Sequence, residues 1–175
     1  MKIAVISSAE ISMSNKIITL VQEIVLFLSK IPNIKIITGG CLGVPGLLVK
    51  KAKQLEINTI AYSPDRDGDK HNKRSDNLAL CYFNEIKHFS GLTARSLAMI
   101  KDADCILMLN GRIGTLSEFT IALEEGKRIG IITNTGGVSD HAQYILKVAK
   151  KEFPNQTFFS SKPKEVINWL ISQSE

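Results

Sequence analysis

The sequence predicts an α/β protein with a doubly wound, mostly parallel sheet lying between two layers of helices. Three observations predict it. Strand-like and helix-like segments alternate from one end of the chain to the other. The run Cys105-Ile106-Leu107-Met108-Leu109 is short and continuously apolar, as expected of a strand covered on both faces. Glycine-rich turns follow strand-like segments at 38–46 and 110–114, where sheets of this kind place ligands at their carboxyl edge.

Residues 2–7 and 33–38 read as strands, and 14–30 as a helix whose Ile17, Leu20, Val21, Ile24 and Leu28 form one apolar stripe. A second helix is expected over 43–55, a third strand over 58–62, a short fourth over 81–83 and a helix over 92–101. The strand at 105–109 follows, then a helix over 115–125, a strand over 129–133, a helix over 140–151, a strand over 156–159 and a closing helix over 164–172. Residues 63–77, SPDRDGDKHNKRSDN, have no apolar periodicity and make a connection longer than most. The segment reads as a solvated loop or as a lid offering Arg66, Lys70, Lys73 and Arg74 to a polyanion. Its aspartates do not make a calcium loop, because Gly68 is misplaced for the turn and the twelfth position is Asp76.

With 175 residues and 44% apolar composition the chain has the length of one domain, 1–175, and enough apolar surface for a core. The apolar stretch 17–28 is broken by Thr19, Gln22 and Glu23, which excludes a membrane span. Three cysteines lack any pairing or metal-ligand spacing, and no targeting segment is evident, so a cytoplasmic, reduced protein is expected. Cys81 and Cys105 read as small core residues, and the three histidines have no partner at metal-ligand spacing. The net charge of +5 raises nucleic acid as a partner. Lys50, Lys51 and Lys53 on one helix and Lys147, Lys150 and Lys151 on another have no interleaved aromatic platform, so solvated helix faces explain them better. The first strand is followed by Ser7, Ser8 and Ala9 and lacks the G-x-G-x-x-G of a dinucleotide site. Those serines either donate to a phosphate or ribose hydroxyl or end the strand as an ordinary turn.

Residues 110–118, N-G-R-I-G-T-L-S-E, are the chemically informative stretch. Asn110, Gly111 and Gly114 supply a turn from strand to helix, which aims unpaired backbone N–H groups and a positive dipole end at one spot, a natural anion site. Thr115 is a candidate N-cap. Thr115-Leu116-Ser117-Glu118 then fits a capping box, which gives Glu118 a purely structural alternative.

The same stretch resembles the P-G-G-x-G-T-x-x-E pattern of the LOG family, the lysine-decarboxylase-like phosphoribohydrolases of the SLOG superfamily, which act on cytokinin riboside 5′-monophosphates. Arg95-Ser96-Leu97-Ala98-Met99 is similar to the family's R-K-x-x-M, and residues 38–46 to its G-G-G-x-G-x-M-G. Asn110, Arg112, Ser96, Cys41 and Pro45 depart from these patterns. The resemblance is closest to a less-characterised branch that also resembles molybdenum-cofactor carrier proteins.

The resemblance implies a Rossmann-like fold and a small phosphorylated ligand such as a nucleoside monophosphate. It makes Glu118 and Arg95 the catalytic candidates, and Gly39, Gly40, Gly43, Gly111, Arg112, Gly114, Thr115, Ser7 and Ser8 the ligand-binding ones. Glu118 would stabilise charge on the ribose or activate water, and Arg95 would hold the ligand and fix the carboxylate. A homodimer is implied, with no metal, cofactor or membrane. Three functions stay open: N-glycosidic hydrolysis to base and ribose 5-phosphate, a nucleotide or molybdenum-cofactor carrier without turnover, and a single-strand binder like the related DNA-processing proteins.

Overall fold

The structure is a computed structural model that describes residues 1–10, 12–149 and 155–172. Its elements run β1 (Lys2–Ile6), α1 (Asn15–Leu28), β2 (Lys35–Thr38), α2 (Gly43–Gln54), β3 (Asn58–Ser63), α3 (Gly68–Lys73), β4 (Glu85–His88), α4 (Leu92–Asp102) and β5 (Cys105–Leu109). They continue with α5 (Ile113–Glu124), β6 (Arg128–Ile132), α6 (Val138–Ala149), β7 (Thr157–Ser160) and α7 (Pro163–Ile171). The strands form one seven-stranded sheet in the order β4-β3-β2-β1-β5-β6-β7, and every pairing is parallel. This is the expected Rossmann-like, three-layer, doubly wound arrangement.

Alternation along the strands builds the two faces. Ile3, Val5, Ile36, Leu107 and Leu109 pack against α1, α2 and α7, while Ala4, Ile6, Ile37, Ile106 and Met108 pack against α4, α5 and α6. β5 lies inside the sheet, between β1 and β6, with all five residues buried, which explains its unbroken apolar sequence. The chain starts at β1 and winds outward to β4, then returns to β5 on the other side of β1. The order therefore reverses between β1 and β5, and the crevice beyond their carboxyl ends is where such sheets bind ligands.

Several sequence expectations need correction. Residues 81–83 are no strand: Leu80–Tyr82 form a 3-10 turn, and the edge strand is β4 at Glu85–His88, whose residues are half-exposed or exposed. Cys81 is exposed, whereas Cys105 is buried as expected. The 63–77 segment is no solvated loop. It contains α3, capped by the Asp67 side chain accepting from Lys70 N at 2.8 Å, and buries His71 completely. His71 Nε2 donates to Leu78 O at 2.9 Å, so Nδ1 accepts from Ser63 Oγ at 2.8 Å. Arg74 pairs with Asp76 and Asp65, Lys70 with Asp67, and Arg66 donates to Ser90 Oγ, so these cations are engaged within the segment and its surroundings. Lys150 and Lys151, expected at the end of α6, lie outside the described residues.

Candidate functional site

At the β1/β5 switch point a cleft of about 290 Å³ opens, lined from four directions. The β1 end contributes Val5, Ser7, Ser8 and Ala9; the turn after β2 contributes Gly39 and Cys41, with Pro45 from α2. α4 contributes Arg95, the turn after β5 contributes Arg112, and α5 contributes Ile113, Gly114, Thr115 and Glu118. Of the eleven residues singled out from the sequence, the cleft gathers Glu118, Arg95, Gly39, Arg112, Gly114, Thr115, Ser7 and Ser8. Gly40, Gly43 and Gly111 do not line it.

Those three glycines have structural work. Gly40 has φ +74° and turns its Cα toward His71, whose Cε1 would lie 3.0 Å from an added Cβ. Gly43, φ +71°, lies where a side chain would meet the carbonyl of Ser8 at 2.6 Å. The surrounding amides are also spoken for: Gly40 N donates to Thr38 Oγ1, Leu42 N to Asp76 O and Val44 N to Ser8 O. The turn after β2 therefore supplies shape more than donors. Gly111, φ +109°, gives its amide to Asn110 Oδ1 at 2.5 Å, and an added Cβ would lie 2.6 Å from Thr115 Cβ. Asn110 has φ +54°, which a proline ring held near about −65° does not adopt, so the family's proline could not occupy this turn unchanged.

The helix after β5 begins two residues earlier than the sequence suggests. Arg112 is the N-cap residue of α5 and makes no side-chain cap bond, Thr115 lies inside the first turn, and Leu116 N is bonded to Arg112 O. No capping box forms. The opening amides of Ile113, Gly114 and Thr115 precede the first intrahelical bond, and no acidic residue sits in that turn to offset the dipole.

Glu118 instead pairs across to α4. Arg95 Nη1 donates to Glu118 Oε1 at 2.6 Å and Ser96 Oγ to the same oxygen at 3.1 Å, with the two charged side chains 12% and 9% exposed. Burial pushes the Glu118 carboxyl above its ordinary range, opposed by the Arg95 charge and then by the bonds from Ser96 and Arg95. Oε2 accepts no bond from the described residues. The Arg95 guanidinium lies over Gly39, where an added Cβ would fall 2.8 Å from Cζ, so Gly39 makes room for the arginine. Arg95 is thus no exposed surface arginine, and its removal cannot be neutral to folding.

Sequence reasoning missed Ser96, Cys41 and Pro45. Ser96 carried a signal: with Met99 and Ile100 it falls in the buried stripe of α4, where a hydroxyl needs a partner. Cys41 faces the cleft as a thiol whose pKa burial raises to about 11, so it offers no thiolate nucleophile near neutral pH.

A family model for the SLOG cluster4 family matches residues 1–167. The chain belongs to the SLOG cluster4 family. This agrees with the resemblance carried by residues 38–46, 95–99 and 110–118. The sequence matches no curated protein. Among solved structures, TM1055, a structural genomics target, superposes with TM-score 0.80 at 21% identity over 98% of both chains. The molybdenum cofactor binding protein of the phototrophic bacterium Rippkaea orientalis gives 0.77 at 19% identity, over 98% of this chain and 95% of that one. DNA processing protein A of Streptococcus pneumoniae gives 0.69 at 18% identity, over 95% of this chain and 60% of that one. At these identities the likeness is one of fold. Among the described residues of this SLOG cluster4 chain, no helix is long and apolar enough to cross a membrane.

Proposed function

We propose that the cleft binds a nucleoside monophosphate or a related phosphorylated heterocycle, with its phosphate on the opening amides of α5 and its sugar against Arg95 and Glu118. One observation carries the reading: unpartnered donors gather around the cleft, beside the Glu118 carboxylate. The first turn of α5 is uncapped, Ser7 Oγ and Arg95 Nε are buried with no hydrogen-bond partner, and exposed Arg112 pairs with no described residue. Buried polar groups are normally satisfied, so this donor set fits an anion that brings several acceptor oxygens. SLOG cluster4 membership supports a nucleotide-type ligand, and the Rippkaea orientalis neighbour, named for molybdenum cofactor binding, supports the wider class.

Hydrolysis of the N-glycosidic bond is favoured by the state of Glu118. One oxygen is fixed by two donors, and the other is available on the cleft side to stabilise an oxocarbenium-like ribose and to orient or deprotonate water. A carrier would use the same carboxylate to hold a ribose hydroxyl. The family resemblance also suggests a homodimer through the helices flanking Arg95, where Leu92 and Leu97 of α4 are exposed.

The test is a panel of four nucleoside monophosphates, their nucleosides and a single-stranded oligonucleotide, read by thermal shift and by chromatography of released base. Monophosphates should raise Tm more than nucleosides do. Glu118→Gln should keep binding and cut base release by about a hundredfold or more. Equal shifts from nucleotide and nucleoside overturn the phosphate assignment, tight binding without base release rejects hydrolysis and leaves the carrier, and response to the oligonucleotide alone favours DNA.

A further inference from the structure

The turns that follow β5 and β6 are clasped to each other at the carboxyl edge of the sheet. Asn110 and Gly111 on one side, and Asn134, Gly136 and Gly137 on the other, all have left-handed backbone. Thr135 is the centre of the clasp. It is buried, and its hydroxyl accepts from Asn110 N at 2.7 Å, donates to Ile132 O at 2.9 Å and lies 2.8 Å from Ser139 Oγ. Its own amide donates to Asp140 Oδ1 at 3.1 Å, and the Gly136 amide to Asp140 Oδ2 at 2.9 Å, so α6 holds the turn from which Thr135 reaches across. The opening amides of α6 close the clasp: Val138 N donates to Gly111 O at 3.0 Å and Ser139 N to Asn110 O at 3.1 Å. A side chain at Gly137 would strike Gly111 O, so the approach leaves no slack. With Gly111 N bonded to Asn110 Oδ1, the amides and carbonyls of both residues are fixed, and α5 begins two residues later at Ile113. Thr135 does not itself line the cleft.

Resting on the phosphate assignment proposed above, we infer that Thr135 is a positioning residue for that site: it sets the left-handed Asn110-Gly111 turn and, through it, the direction of the opening amides of α5. Backbone amides bind an anion only when they converge on one spot. Arg112 alone separates the fixed turn from the helix, a connection too short to absorb a displaced turn. Loss of the Thr135 acceptor therefore lowers phosphate affinity although Thr135 touches no ligand. A residue that merely closed the loop after β6 would change stability alone.

Titration calorimetry of the full chain, Thr135→Val and Thr135→Ser with AMP and with adenosine tests this. Valine keeps the shape and removes the acceptor of Asn110 N, and serine keeps the acceptor. Thr135→Val should bind AMP about tenfold more weakly, the upper part of what one hydrogen bond contributes, and leave adenosine binding unchanged. Thr135→Ser should restore AMP binding to within about threefold of wild type. In the unliganded ¹⁵N-labelled proteins, the amide resonances of Ile113, Gly114 and Thr115 should move in the valine variant and return in the serine one. AMP affinity unchanged by valine, a loss that adenosine shares equally, or a loss that serine does not rescue overturns the inference while the phosphate site stands. If Thr135→Val does not fold, Asp140→Ala, at an exposed position, replaces it: a loss selective for AMP supports the inference, and unchanged affinity overturns it. A wild-type protein that binds no AMP overturns the phosphate reading instead, and amides at 113–115 that stay unmoved in the valine variant then overturn the positioning role as well.

Discussion

Replacing Arg95 by alanine should destabilise the protein at neutral pH by about 3–5 kcal/mol, the scale of removing one partner from a buried ion pair. The pair is 2.6 Å apart, with side chains 12% and 9% exposed, so solvent screens it little. Loss of the guanidinium leaves Glu118 with Ser96 as its remaining donor and opens space over Gly39. The effect should depend on pH in a defined direction. Glu118 already has a folded-state pKa above its ordinary value of 4.5, and losing Arg95 raises it further. A carboxyl raised in the folded state binds more protons there than when unfolded, so its penalty is absent below about 4.5 and grows as pH rises through the folded value. The variant's deficit should therefore shrink on acidification from pH 7 toward pH 5. Denaturant unfolding of wild type, Arg95→Ala, Glu118→Gln and the double variant at both pH values measures this, and the double variant should recover much of the loss. A deficit below about 1 kcal/mol at pH 7, or one that is equal at the two pH values, would refute the buried-pair argument.

Gly111→Ala should cost about 1–3 kcal/mol and weaken nucleotide binding, because φ is +109° and the new methyl would strike Thr115; an unchanged unfolding midpoint would contradict that geometry. His71→Ala should cost about 2–4 kcal/mol and expose residues 64–84 to protease, since Ser63 and Leu78 O lose their buried partner. An unchanged cleavage pattern would mean that the segment is held by other contacts.

What was legible in the sequence follows its physical determinants. β5 announced itself because burial on both faces forces a continuous apolar run, and the alternation of elements carried the doubly wound sheet. The edge strand β4 was not legible: Glu85-Ile86-Lys87-His88 is half-solvated and charged, as edge strands are, while the apolar neighbours at 81–83 form a 3-10 turn. At the site, the glycine turn and Glu118 were found, but Thr115-x-x-Glu118 imitates a capping box that the fold does not use. The left-handed conformations at Asn110 and Gly111 bring the chain into α5 earlier, and Glu118 turns to a partner 23 residues away in sequence. That pairing depends on α4 and α5 packing side by side, which no local pattern encodes. His71 was missed for the same reason, its partners being Ser63 and Leu78 across the α3 excursion.

The claim that the opening amides of α5 bind phosphate is tested most directly by backbone amide resonances of the ¹⁵N-labelled protein during titration with a nucleoside monophosphate and with its nucleoside. The nucleotide should give its largest shifts at Ile113, Gly114 and Thr115, and the nucleoside should leave those three nearly unmoved. Amides at 113–115 that stay in place while the nucleotide saturates the protein, or that respond equally to the nucleoside, would contradict the account.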